Sequence, residues 1–331
     1  MATTHTYTFI DINGDRITAG FTPPSGTLGD TFTAVTTSGS QTRRARKSLN
    51  TWVGEIASNS GTNDSRKIAE VIDPATPTAS GNPVDFIIVG GQSNGVGRGS
   101  VAELPSPFPS ASLSSRIWMY TAAGEWLPAR EPTHLISGSL DGVYTTNNTQ
   151  AGVGPVLKMC EALAFASQSR EFAIIPCAVG GSDLAEWATS FARGTSNYGA
   201  MIGRVRNALR RPGARLSCLV WYQGEADTVE SGSWATFTAA TADVLNNIEF
   251  DLGIGSGSMK TLVVKLPANN PAPATWVRWE EVRTAQTNLA SGSIRRVIQA
   301  PNSPAGDIHL STAQQHILGQ LLADEFGSLG W

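Results

Sequence analysis

The feature that most restricts this chain is a series of short apolar runs, each stopping at a loop of small or polar residues. Asp85-Phe86-Ile87-Ile88-Val89 ends in Gly90-Gly91, and Phe172-Ala173-Ile174-Ile175 runs toward Gly180-Gly181. Leu216-Ser217-Cys218-Leu219-Val220-Trp221 leads into Gln223-Gly224-Glu225. Thr261–Leu266 ends in a Pro/Asn loop, and Ile294–Gln299 in a loop carrying Asp307 and His309. Runs of this length bounded by turn residues read as buried strands. Between them, residues 155–167, 233–248, 275–290 and a last stretch after Ser311 read as helices. Pro155 suits a first turn, where its missing N–H costs nothing. Ser311 and Gln314 have the spacing of a capping box. Strand–helix alternation implies an α/β domain with a parallel sheet and helices on both faces. Such sheets bind ligands beyond the carboxyl ends of their strands, and every polar motif above sits at such an end.

The first eighty residues differ. They are rich in Thr, Ser and Gly. Tyr7–Ile10 and Arg16–Thr18 flank Asn13-Gly14, which reads as a β-hairpin because Asn-Gly tolerates the positive φ of a tight turn. Thr31–Val35 is a further strand. After the basic run Arg43–Lys47, the positions Leu49, Trp52, Val53 and Ile56 follow i, i+3, i+4, i+7 and predict a short helix. Residues 74–83, Pro-Ala-Thr-Pro-Thr-Ala-Ser-Gly-Asn-Pro, have linker composition. The expected organisation is a β-rich N-terminal module over 1–73, a linker over 74–83 and an α/β domain over 84–331.

Composition excludes several classes of function. The chain has 331 residues, 24 Lys and Arg against 27 Asp and Glu, and a net charge of −3. That balance argues against a nucleic-acid coat, which needs a basic surface. No apolar run approaches the roughly 20 residues of a membrane span. Met1-Ala2-Thr3-Thr4-His5 has no basic segment followed by an apolar one, so no signal peptide is expected. The three cysteines, Cys160, Cys177 and Cys218, sit in apolar stretches and read as buried thiols. No Cys-x-x-Cys or His-x-x-x-His spacing occurs, so no metal site and no cofactor are expected.

Ser93 lies in Gly90-Gly91-Gln92-Ser93-Asn94-Gly95, directly after a strand, where small neighbours permit a sharp turn that presents the hydroxyl. A serine hydroxyl is a weak nucleophile and needs a base within hydrogen-bond reach. His309, in Gly306-Asp307-Ile308-His309, is the natural base, and Asp307 is placed to orient it. An oxyanion hole needs donors aimed at developing charge. The Ser93 backbone N–H, Gly180, Gly181 and the Gln223 amide are the candidates. A phosphate cradle fails, because no Gly-Lys-Ser/Thr follows Gly95 and the Gly-x-Gly-x-x-Gly spacing is absent. Glu225 and Asp227 share one short loop, whereas a glycosidase pair must flank a sugar from two sides.

Gly91-Gln92-Ser93-Asn94, Gly180-Gly181-Ser182 with Trp187, Trp221-Tyr222-Gln223-Gly224-Glu225-Ala226-Asp227 and the terminal Asp-His element together resemble the SGNH (GDSL-like) hydrolases. The closer resemblance is to their carbohydrate-esterase and sialate O-acetylesterase branch, as Gly154-Pro155 and Arg283-Thr284-Ala285-Gln286 also suggest. The resemblance covers Val84 to Trp331 in the correct order. It implies a three-layer α/β/α, flavodoxin-like domain that removes acetyl groups from sugar hydroxyls without a metal. By motif position Ser93 is the nucleophile, His309 the base and Asp307 its orienting acid, with Gly180 or Gly181 and Gln223 in the oxyanion hole. Gln92, Asn94, Trp187 and Glu225 are expected beside the substrate or behind the catalytic residues, and Trp187 or Trp221 is a candidate to stack on the sugar. One position departs from the family pattern. Its acid usually stands three residues before the histidine, where this chain has Gly306. Either Asp307 reaches His309 through a different turn, or a main-chain carbonyl orients the imidazole.

Gly91-Gln92-Ser93-Asn94-Gly95 also satisfies the Gly-x-Ser-x-Gly elbow, but in that fold the serine follows several strands and acid and histidine occupy separate loops. The rival functional class is a domain of this type that binds a cell-surface polysaccharide with little or no turnover. The Thr/Gly-rich N-terminal segment resembles attachment regions of phage-like spikes. That likeness implies a particle-attachment partner, a homotrimer and a place on a particle surface. A cytoplasmic enzyme is the alternative.

Overall fold

The computed structural model describes residues 83–121, 126–134, 151–189, 196–211, 213–255, 257–292 and 294–330 in full, and the segment before residue 83 only as backbone strands. In that segment β1 (His5–Ile10) pairs antiparallel with β2 (Arg16–Phe21), as the hairpin reading expects. A second antiparallel sheet runs β3 (Thr31–Thr36), β4 (Gly39–Ser48), β5 (Thr51–Ile56) and β6 (Glu70–Ile72). The helix expected around Trp52, Val53 and Ile56 is therefore wrong: these residues form β5, and Arg43 to Ser48 pair with it as β4. Thr51, Trp52, Val53 and Ile56 are β-branched or aromatic, types that favour strands, and Gly54 weakens a helix. Asn13-Gly14 and the linker residues 74–82 lie outside the described residues.

From residue 84 the order is β7 (Val84–Gly91), α1 (Ser93–Val96), β8 (Ile117–Tyr120), β9 (Trp126–Pro128), α2 (Pro155–Ala166), β10 (Glu171–Pro176), α3 (Asn197–Ala208), β11 (Ala214–Tyr222), α4 (Phe237–Leu252), β12 (Lys260–Lys265), α5 (Trp279–Thr287), β13 (Arg295–Gln299) and α6 (Thr312–Ser328). The sheet runs β13-β12-β11-β7-β10-β8-β9. Every pair is parallel except β8 with β9, which closes one edge antiparallel. Two sets of helices, α2 with α6 and α3 with α4 and α5, pack on this sheet as the expected α/β/α layers. Both faces of the central strands are therefore covered, and Phe86, Ile87, Ile88, Val89, Ile174, Ile175, Leu219 and Val220 are all fully buried. Among the described residues no helix is long and apolar enough to cross a membrane.

The parallel strands place their last residues on one edge of the sheet. β7 lies between β10 and β11 there, and the close approach of β11 explains the Gly90-Gly91 pair. A Cβ on Gly90 would stand 2.9 Å from the Trp221 ring. Gly91 has φ +104°, and a Cβ there would meet the Tyr222 carbonyl oxygen at 2.0 Å. Only glycine lets the chain turn at this point with β11 alongside. At the other end of the sheet, buried Asp85 ties β7 to its surroundings, accepting from Ser217 Oγ at 2.5 Å and pairing with Arg170 at 2.6 Å and Arg215 at 2.6 Å. Ser217 sits at the register shift between Leu216 and Cys218. The capping box at Ser311 and Gln314 is present and starts α6 just beyond His309.

Candidate active site

The turn after β7 delivers Ser93 at the first position of α1, and the loop after β13 brings His309 to it. Ser93 Oγ and His309 Nε2 lie 3.1 Å apart. Asp307 Oδ1 stands 3.2 Å from His309 Nδ1 and also accepts the His309 backbone N–H at 2.9 Å. The departure in spacing is thus resolved by a different turn. Gly306 has φ +77° with open space around it, and the Asp307 N–H closes on Pro304 O at 3.2 Å. With Nδ1 facing a carboxylate, the proton belongs on Nδ1, and Nε2 is left as acceptor for the serine proton. Burial holds the His309 pKa below the ordinary 6.5. Asp307 raises it in part, and the Arg98 cation lowers it. A neutral imidazole is the form a general base requires.

The proposed oxyanion donors come to the same edge. The Ser93 N–H belongs to the first turn of α1, where no intrahelical carbonyl is in reach. The Gly180-Gly181 turn follows β10. Its approach is pinned by the Val179 N–H, which donates to Gly91 O at 2.8 Å, and by Ser182 Oγ, which donates to Val179 O at 2.8 Å. Gln223 is not free for this task. It is 1% exposed, and its Nε2 donates to Gln92 Oε1 at 3.1 Å, Ser182 O at 2.9 Å and Asp227 Oδ2 at 2.7 Å. Three protein acceptors surround two hydrogens, which makes this amide a strut between three loops rather than a donor to substrate. Gln92 completes the strut by accepting the Ala226 N–H at 3.1 Å.

Trp187 and Trp221 are both fully buried and meet edge to face, ring centroids 5.0 Å apart. Neither can stack on a sugar. Trp187 Nε1 donates to Ser182 Oγ at 3.0 Å and so supports the Gly180-Gly181 turn from beneath. Asn94 and Glu225 are also fully buried and lie behind Ser93 and His309, joined at 2.6 Å from Asn94 Nδ2 to Glu225 Oε1. Burial pushes the Glu225 carboxyl up to about 7 and that of Asp227 to about 6. Asp227 accepts the Leu184 N–H at 2.9 Å, which anchors the segment carrying Trp187. Gln286 links β11 to β12, donating to Gln223 O at 2.9 Å and accepting the Leu266 N–H at 2.9 Å.

Sequence reasoning missed Arg98, Glu131 and His134. Arg98 is half-buried, and its charge acts on both His309 and His134. Its place two residues beyond the end of α1, the element that carries Ser93, was the available signal. His134 Nε2 accepts the Ala178 N–H at 3.3 Å, and burial drives its pKa down to about 3. Glu131 accepts N–H groups from Gly154 at 3.2 Å and Thr133 at 3.0 Å, and burial pushes its carboxyl up to about 8. Their segment shows no periodicity, so nothing in the sequence marked them. Among the described residues no group of three His, Cys, Asp or Glu side chains clusters in a way that suits a metal ion.

Comparison with known proteins shows the family. The family model for carbohydrate esterase, sialic acid-specific acetylesterase, matches residues 83–328. A probable carbohydrate esterase of Arabidopsis thaliana is 27% identical over 261 residues, covering 74% of this chain and 90% of that protein. The crystal structure of an Arabidopsis thaliana protein superposes with a TM-score of 0.60 at 25% identity, covering 74% of this chain and 98% of that one. The structure of NanS shares the fold, with a TM-score of 0.54 at 16% identity over 75% of this chain and 97% of that one. The matched residues make up most of the chain, so this carboxylic ester hydrolase belongs to the carbohydrate esterase, sialic acid-specific acetylesterase family.

Proposed function

We propose that the chain removes acetyl groups from an acetylated oligo- or polysaccharide through a covalent acetyl-serine. Ser93 Oγ attacks the acetyl carbonyl carbon while His309 Nε2 takes its proton. The Asp307 carboxylate steadies the imidazolium. The carbonyl electron pair moves to oxygen, where the backbone N–H groups of Ser93 and Gly181 receive it. Collapse expels the sugar oxygen, which takes the proton from His309. Water then attacks the acetyl-serine, His309 accepts and returns a proton, and acetate leaves. The observation that carries this reading is the 3.1 Å approach of Ser93 Oγ to His309 Nε2, with Asp307 on the far side of the ring.

The test is acetate release from a panel of acetylated glycans and an aryl acetate, comparing the chain with Ser93→Ala. Release is expected to fall by at least about 10³-fold, as for loss of other activated nucleophiles. Unchanged turnover in folded Ser93→Ala overturns the mechanism. The rival expectation, a polysaccharide-binding domain with little turnover, rested on the shortened Asp–His spacing. The 3.2 Å contact between Asp307 and His309 removes that ground. Glycan binding without acetate release would be its signature in the same panel.

A further inference from the structure

We propose that Asn94 is the positioning residue for His309, and that Glu225 acts through it. This inference rests on the proposed roles of Ser93 and His309. Asn94 Nδ2 donates to Ile308 O at 3.0 Å, and its Oδ1 accepts the Leu310 N–H at 2.9 Å. The side-chain amide therefore pairs with the backbone on both sides of His309, as a strand residue pairs across a ladder. The second Nδ2 hydrogen goes to Glu225 Oε1 at 2.6 Å. Asn94 and Glu225 are both fully buried.

The position demands, on a short planar group, two donors and an oxygen that accepts from the Leu310 N–H and, at 3.5 Å, from Gln315 Nε2. Asparagine alone meets that demand: aspartate has no donor when ionised, leucine has no polar atoms, and glutamine is one methylene longer. Glu225 defines which way round the amide sits. A flipped amide would aim oxygen at both Glu225 and Ile308 O, a repulsive arrangement in a dry site. His309 stands on a loop, and α6 begins only after it, so no ladder of backbone hydrogen bonds fixes the imidazole. The Asn94 amide supplies that fixation from the residue next to the nucleophile. One dipeptide, Ser93-Asn94, thus carries both the attacking atom and the holder of its base.

The experiment combines kinetics with hydrogen–deuterium exchange of residues 306–311. Asn94→Ala is expected to lower kcat by about 10²-fold, the usual cost of misplacing a catalytic group by about 1 Å. KM should change less than threefold, and exchange at Leu310 should accelerate. Asn94→Asp replaces the donor to Ile308 O and Glu225 by an oxygen and should be at least as poor. Asn94→Asp combined with Glu225→Gln restores the pairing with position 225 in reversed polarity, leaves only the Ile308 O contact unmade, and should recover part of the activity, at least threefold over Asn94→Asp alone. A purely structural role would lower the melting temperature without this recovery. Folded Asn94→Ala with kcat within threefold of the parent and unchanged exchange overturns the proposal. Failure of the double variant to recover overturns the part assigned to Glu225. Should the parent chain itself release no acetate, the serine mechanism fails, and the exchange of residues 306–311 still decides whether Asn94 holds the loop.

Discussion

His309 is pulled in opposite directions. Burial and the Arg98 cation favour its neutral form, and Asp307 favours the charged one. The net shift is downward, so the proposed base stays competent to lower pH than a free imidazole. The acidic limb of kcat/KM should accordingly lie below pH 6.5, and a limb above 7 would contradict the assignment. Removing the charge in Asp307→Asn should move that limb further down, whereas Arg98→Met should move it up. Asp307→Asn should also slow turnover, though by less than the roughly 10⁴-fold seen where such an acid is buried. The Asp307 side chain is 57% exposed, and solvent screens its charge. These residues show how far the sequence could be read. Ser93, His309 and Asp307 were legible because each follows a strand end. The burial of Trp187 and Gln223 was not, because a strand-end motif looks alike whether it faces solvent or props a neighbouring loop.

At the scale of elements, two glycines with positive φ should respond differently to the same change. Gly91→Ala drives a Cβ into the Tyr222 carbonyl, backbone that cannot yield without parting β7 from β11. It should abolish folding or lower the melting temperature severely. Gly306→Ala meets open space and pays only the left-handed backbone penalty, about 1–2 kcal/mol. Thermal melts of the two variants check the contrast, and equal losses would refute it. The elements that escaped sequence reading were short or interrupted. β8 has four residues and β9 three, too few for a period to show. In α3 the buried set Tyr198, Met201, Ile202 and Val205 does follow i, i+3, i+4, i+7, but Gly199 and Gly203 disguise it. Near β5 the opposite occurred: of the four apolar positions that matched a helical spacing, Trp52, Val53 and Ile56 lie in the strand.

Across the whole molecule, the buried acids and histidines set how stability varies with pH. Glu131, Glu225 and Asp227 have carboxyl groups raised to about 8, 7 and 6, so the folded chain keeps protons that an unfolded chain releases near pH 4 to 4.5. Their contribution is full at low pH and is lost as pH rises through these values. His134 and His309 are lowered, and their contribution is present above 6.5 and is lost as pH falls. The two sets oppose each other below 6.5. Above it the carboxyls among the described residues lead, each costing up to about 1.4 kcal/mol per pH unit while its proton is held, and the buried Cys160 and Cys218 thiols, raised from 9, add in the same direction at the upper end. The melting temperature should therefore fall between pH 6.5 and 8.5. A rise over that interval would show that these groups are ionised in the folded state. The sheet that houses them was plain in the sequence, because parallel strands buried on both faces must be written as unbroken apolar runs. The family match begins at residue 83, so it does not bear on the N-terminal strands or on the attachment role expected of them.

Ser93 and the histidine that faces it are separated by 216 positions in the chain. The proposed nucleophile emerges early in synthesis, among the first segments of its domain, while its proposed base arrives after the last strand and just before the last helix. A growing polypeptide therefore carries an inert serine until the C-terminal loop docks. Ester-cleaving power would appear abruptly, as a sign that translation has passed residue 309 and the loop after β13 has found its seat.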